Sequence, residues 1–144
     1  MTGAERAEAL FFEGYNCAQS VVLAFQEFTG VDRAVLERMS APFGGGMGRL
    51  REVCGAVSGM AMLLGLMQHP DMLDKEKKEE FYAKERELAE KFRERAGSIV
   101  CRDLIAEHPH GNTHNSEKPY CMKLVGLAAS IVEESGIFSE KGEL

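Results

Sequence analysis

Four cysteines, Cys17, Cys54, Cys101 and Cys121, are the residues of this chain whose type is best suited to chemistry. The thiolate form of cysteine is both a nucleophile and a metal ligand. The four stand far apart in sequence and form no Cys-x-x-Cys pair. Zinc therefore fits less well than other uses, since structural zinc sites favour closely spaced ligand pairs, although wide spacing does not exclude it. Three uses compete. The thiols can form and break disulfides. They can supply the four ligands of a [2Fe–2S] cluster or another thiophilic metal. Or they can be inert core residues, because free cysteine packs as a small hydrophobe.

Other candidates are weaker. His108, His110 and His114 share one polar stretch and form a possible transition-metal set, but histidines in a surface loop need no ligand. Gly44, Gly45, Gly46 and Gly48 crowd into the segment 42–49, where they allow backbone angles closed to other residues. The segment matches neither the Walker phosphate loop nor the dinucleotide fingerprint. Its expected task is a close backbone approach to the Cys54 region, with Gly55 taking part. Ser58 has no nucleophile-elbow context, and no pair of acids stands out for acid–base catalysis.

The elements that must position the thiols read as helices throughout. Thr2 and Glu5 have capping-box spacing, and so do Asn16 and Gln19. A first helix ends near Gly14, a second runs from Asn16 toward Gly30, and a third from Asp32 to about Ser40. A fourth, from about Arg51 to Met67, is apolar nearly all round and belongs at the centre of a bundle. Its Gly55 and Gly59 lie one turn apart, a spacing that lets a neighbouring helix come close. Asp71 is the expected cap of a long, charged fifth helix ending near Ala96, with Phe81, Leu88 and Phe92 on its inner stripe. Ser98 recaps the chain for a short helix through Cys101, and a last helix starts near Pro119. Each cysteine lies on an apolar stripe, and Cys17, Cys101 and Cys121 sit next to helix starts. Cys54 does so only if its helix begins late. A helix start carries unpaired N–H groups and about half a positive charge, which favours a thiolate; burial opposes it.

The chain has 144 residues, with 44% hydrophobic and 28% charged types, which suits one soluble globular domain. Seventeen Lys and Arg against 23 Asp and Glu leave a net charge of −6. That balance argues against nucleic acid as a partner. The apolar run from Val53 to Met67 is shorter than the roughly 20 residues of a membrane span, so no membrane insertion is expected. No signal-like segment opens the chain, and a cytoplasmic location is the expectation. The fold class expected is all-α, a single-domain bundle of about five to seven helices around an apolar central helix. A homodimer is also expected, because such a helix in a short chain recruits a second copy for cover.

The segment Gly14-Tyr15-Asn16-Cys17-Ala18-Gln19-Ser20, the loop Phe43-Gly44-Gly45-Gly46-Met47-Gly48, the run Cys54-Gly55-Ala56-Val57-Ser58-Gly59, and then Cys101 and Cys121 together resemble the redox-active C_GCAxxG_C_C family. The resemblance spans Gly14 to Cys121 and implies a redox role for the four cysteines. A similar four-cysteine region in a larger haem protein is held to contain an iron–sulfur centre, so a cluster is one implied use. This chain has no Cys-x-x-Cys-His haem attachment sequence. The expected activity is thiol–disulfide chemistry or electron transfer, with an oxidoreductase as one form of it and an unidentified redox partner. Cys17 with Cys54 and Cys101 with Cys121 are the favoured pairs, although three pairings are open. Against it stand the four-cysteine metal site and, from a different class, a helical interaction module whose thiols are inert.

Overall fold

The computed structural model describes residues 1–108 and 119–138. Helix α1 (Gly3–Glu13) opens with a complete capping box: Thr2 Oγ1 accepts from the Glu5 N–H at 3.1 Å, and Glu5 Oε1 accepts from the Thr2 N–H at 2.8 Å. Helix α2 (Cys17–Ala24) repeats the device with Asn16 and Gln19. The expected long second helix breaks at Phe25 (φ −117°, ψ 11°), leaving a separate single turn, α3 (Gln26–Thr29). Arg6 holds that break. Its guanidinium donates to the Ala24 carbonyl at 2.7 Å and lies 5.6 and 5.5 Å from the rings of Phe25 and Phe28. A cation over aromatic faces, satisfying a carbonyl at a helix end, stabilises a kink that helix periodicity does not reveal.

Helix α4 (Arg33–Ser40) leads through a 3₁₀ turn, Ala41–Phe43, into the glycine segment. The central helix α5 (Gly55–Gln68) begins four residues later than the expected start at Arg51. The reason is tertiary. Val53 forms an isolated antiparallel bridge with Val100, with the Cys54 N–H donating to Ile99 O at 2.8 Å and the Cys101 N–H to Glu52 O at 2.6 Å. These bonds compete with helix formation and win. Helix α6 (Lys75–Ala96) is capped by Asp74, whose carboxylate accepts from the Lys77 N–H at 3.1 Å. The expected cap, Asp71, instead accepts from Leu73 N–H in the preceding turn. Helix α7 (Cys101–Ile105) is short, and α8 (Tyr120–Ser135) ends at left-handed Gly136.

The all-α architecture is thus as expected, with α8 packed against α1, α2, α5 and α6, and α2 against α1, α4, α5 and α8. Phe11, Phe25, Phe92, Met60, Leu63 and Ile131 are essentially fully buried, each contributing about 1.5–3 kcal/mol by removal from water. Gly59 permits the α2–α5 contact, because a β-carbon there would sit 2.9 Å from Val21 Cβ and 3.1 Å from Ala18 O. Burial all round α5 does not follow from its composition: Leu66 stays 41% exposed, and Met62 and Met67 are only partly covered. The core is shared among α2, α5 and α8. Among the described residues no helix is long and apolar enough to cross a membrane.

Candidate functional site

Each cysteine stands at the start of a helix. Cys17 and Cys101 are the first residues of α2 and α7, Cys121 is the second of α8, and Cys54 is the N-cap of α5. The late start of α5 brings Cys54 into the same position as the others, where the positive helix end favours sulfur anions.

Tertiary pairing joins two of them. Side chains alternate across a bridged segment, so Cys54 and Cys101, which flank the Val53–Val100 bridge, lie on one face of it. Above them the glycine segment winds left-handed. Gly45, Gly46, Met47, Gly48 and Arg49 have φ of 68°, 72°, 72°, 57° and 64°, and Arg51 follows at 65°. For residues with a β-carbon this conformation costs about 1–2 kcal/mol each, so Met47, Arg49 and Arg51 are held there by their surroundings. The carbonyls of Gly44, Gly45 and Gly46 accept from the N–H groups of Arg49, Arg51 and Glu52 at 3.2, 3.1 and 3.0 Å. Glycine is required at Gly46, where a β-carbon would come within 2.7 Å of both Cys101 Cβ and Glu52 N. It is required again at Gly55, where one would meet Phe43 O at 2.9 Å and Cys17 Cβ at 3.1 Å. The expected close backbone approach is therefore present, and it reaches Cys101 as well as the Cys54 region.

All four cysteines line one cavity of about 410 Å³, together with Gly44, Gly45, Gly46, Gly48 and Gly55. Cys54, Cys101 and Cys121 are buried and Cys17 is partly exposed. The cysteine environments differ. The interaction of Cys17 with Cys121, with burial and the neighbouring sulfurs, raises the Cys17 thiol well above its ordinary value. The same interaction, with the Arg51 charge, lowers Cys121 despite its burial. Burial pushes Cys54 up to about 12, against backbone N–H donors from Ala56 and Val57 that pull the other way. Arg51 Nη1 also lies 3.7 Å from Cys101 Sγ. All four cysteines are free thiols, and the interaction that moves Cys17 and Cys121 most is the one between them.

The histidine set divides. His108 stacks on Tyr120, centroids 3.8 Å apart and 9° between planes, and does not line the cavity. His110 and His114 lie outside the described residues. Among the described residues no three His, Cys, Asp or Glu side chains are placed to hold a single metal ion. The four sulfurs match a [2Fe–2S] cluster in number and in sharing one cavity, yet Cys17 and Cys54 are held as thiols, so a cluster would have to displace both protons. Sequence reasoning missed Arg51 and its neighbour Arg49, which also lines the cavity. The available signal was two basic residues between the glycine run and Cys54 in an acidic chain.

A family model described as "Putative redox-active protein (C_GCAxxG_C_C)" matches residues 15–135. No curated protein and no solved structure matches the chain.

Proposed function

The chain belongs to the C_GCAxxG_C_C redox-active family, and from that premise we propose that it performs thiol–disulfide exchange through Cys121 and Cys17. The observation that carries this reading is that all four cysteines line one cavity, where the interaction with Cys17 and the Arg51 charge lower Cys121. Such a pair supplies an attacking thiolate and a resolving thiol. Cys121 attacks one sulfur of a partner disulfide, forming a mixed disulfide and expelling a thiolate, which takes the proton from Cys17. The Cys17 thiolate then attacks Cys121 Sγ, closing an internal disulfide and expelling a second thiolate, which is protonated by solvent. Two electrons pass from the protein thiols to the partner disulfide, which leaves as two thiols. Arg51 stabilises the anionic sulfur at each stage. Cys54, held protonated by burial, does not attack.

Peptide mapping after mild oxidation tests this. The expected product is a Cys17–Cys121 disulfide, reversed by dithiothreitol. Four free thiols after oxidation, or a bond between other cysteines, would overturn it. A [2Fe–2S] cluster is the second reading, favoured by the four cysteines at one cavity. It predicts about two irons and two acid-labile sulfides per chain in anaerobically prepared protein.

A further inference from the structure

The cavity has a charge bias that the chain as a whole lacks. The protein carries a net charge of −6, yet among the described residues the only charged ones lining the thiol cavity are Arg49 and Arg51. Among the described residues neither arginine pairs with a carboxylate. Arg51 is half-buried against the sulfurs, while Arg49 is exposed and stands at the rim. Both have left-handed backbone angles, φ 64° and 65°, which non-glycine residues adopt only when the surroundings hold them there. The remaining lining is apolar side chains, glycine backbone, Asn16 and the cysteines. About 410 Å³ falls within the roughly 300–1,000 Å³ range of small-molecule sites.

Resting on the thiol-exchange reading above, we infer that the substrate is a small disulfide, or the corresponding thiol, that bears carboxylates. Arg49 receives a carboxylate at the rim, and Arg51, in contact with Cys101 Sγ, adds positive charge beside the reacting sulfurs. An anion approaching from afar meets net repulsion, which salt damps beyond about 8 Å at physiological ionic strength. Within that distance the two arginines dominate, and a guanidinium matches a carboxylate in shape as well as charge. The step is the exchange already written. One dicarboxylate disulfide is reduced to two carboxylate thiols, and Cys17 and Cys121 are oxidised to one disulfide.

Three disulfides of similar size test this: dithiodipropionate (anionic), hydroxyethyl disulfide (neutral) and cystamine (cationic). Each rate with the reduced protein is divided by its rate with free dithiothreitol, a neutral dithiol, which removes the leaving-group difference. The expected order is anionic, neutral, cationic, with the first at least about 10-fold above the second at low salt. That ratio falls toward unity in Arg49→Gln. It persists in Arg93→Gln, an equal charge change on the outer helix. Calorimetry with thiodipropionate, a thioether that cannot exchange, reads the pocket independently of sulfur reactivity; binding is expected, and its loss in Arg49→Gln with it. Exchange without a charge order, or without thioether binding, overturns this inference and leaves the thiol reading standing. Thioether binding that depends on Arg49, with no exchange by any disulfide, supports the carboxylate pocket and overturns the thiol reading. Neither exchange nor binding overturns both.

Discussion

The thiol end of the bundle and the outer helix α6 both bury an ionisable group, and they treat it differently. At the thiol end Cys54 is raised chiefly by burial, but Cys121 has partners: it is lowered by its interaction with Cys17 and by the Arg51 charge. On α6, Glu85 is partly buried on the inner stripe with Phe81 and Leu88, and one of its carboxylate oxygens, Oε1, has no partner. Burial alone pushes Glu85 up to about 7. A shift produced by a specific charge partner at a cavity is what an active thiol requires. A shift produced by desolvation alone is a cost borne by the fold. A displaced titration therefore identifies a site only when its cause is known.

This contrast can be broken most forcefully at Cys121. Cys121→Ser is expected to slow alkylation of the reduced protein at pH 7 by about 100-fold, because the thiol kept most ionised is gone. In the unsubstituted protein the rate should rise through a pH below the ordinary thiol value of 9, and Arg51→Met should move that rise upward. An unchanged rate and profile would make Cys121 as inert as any core cysteine. Next in size is Gly46→Ala. At φ 72° and with a β-carbon 2.7 Å from Glu52 N, it should cost about 2–4 kcal/mol in urea unfolding. A loss below about 1 kcal/mol would mean that the left-handed segment is not tightly held against the sulfurs.

The outer helix should respond in the opposite sense. Glu85→Gln is expected to stabilise the protein by about 1 kcal/mol above pH 7, discounted for partial exposure. The sign follows from linkage. With the folded value raised to about 7 from 4.5, the folded state holds the proton more tightly, so stability falls as pH rises between those values. Below pH 4.5 the benefit should vanish, and a pH-independent effect would assign it to packing instead. Smallest is Arg93→Gln, which removes an exposed ion pair with Glu90 and should change stability by less than about 0.5 kcal/mol.

Much of the scaffold was legible because its signals are local. Thr2 with Glu5 and Asn16 with Gln19 cap their helices as their spacing predicts, since a capping box closes within three residues. The Phe81, Leu88 and Phe92 stripe faces inward for the same reason. Where the reading slipped, a distant partner had intervened: Arg6 at the break after Ala24, and Ile99 and Val100 at the delayed start of α5. The four cysteines and five glycines named from the sequence all line the cavity. The interaction of Cys17 with Cys121 was not legible, because nothing local to Cys17 encodes Cys121.

The sequence by itself determined that this chain is helical and that most of its cysteines fall at helix starts, because those properties depend on residues within one turn of each other. Only the tertiary structure decided that Cys17 and Cys121 interact, that the Arg51 charge acts on Cys121, and that Arg49 borders the same cavity. Those outcomes depend on groups tens of residues apart meeting within a few ångströms. Charge and hydrogen bonding act over that spatial distance and take no account of separation along the chain.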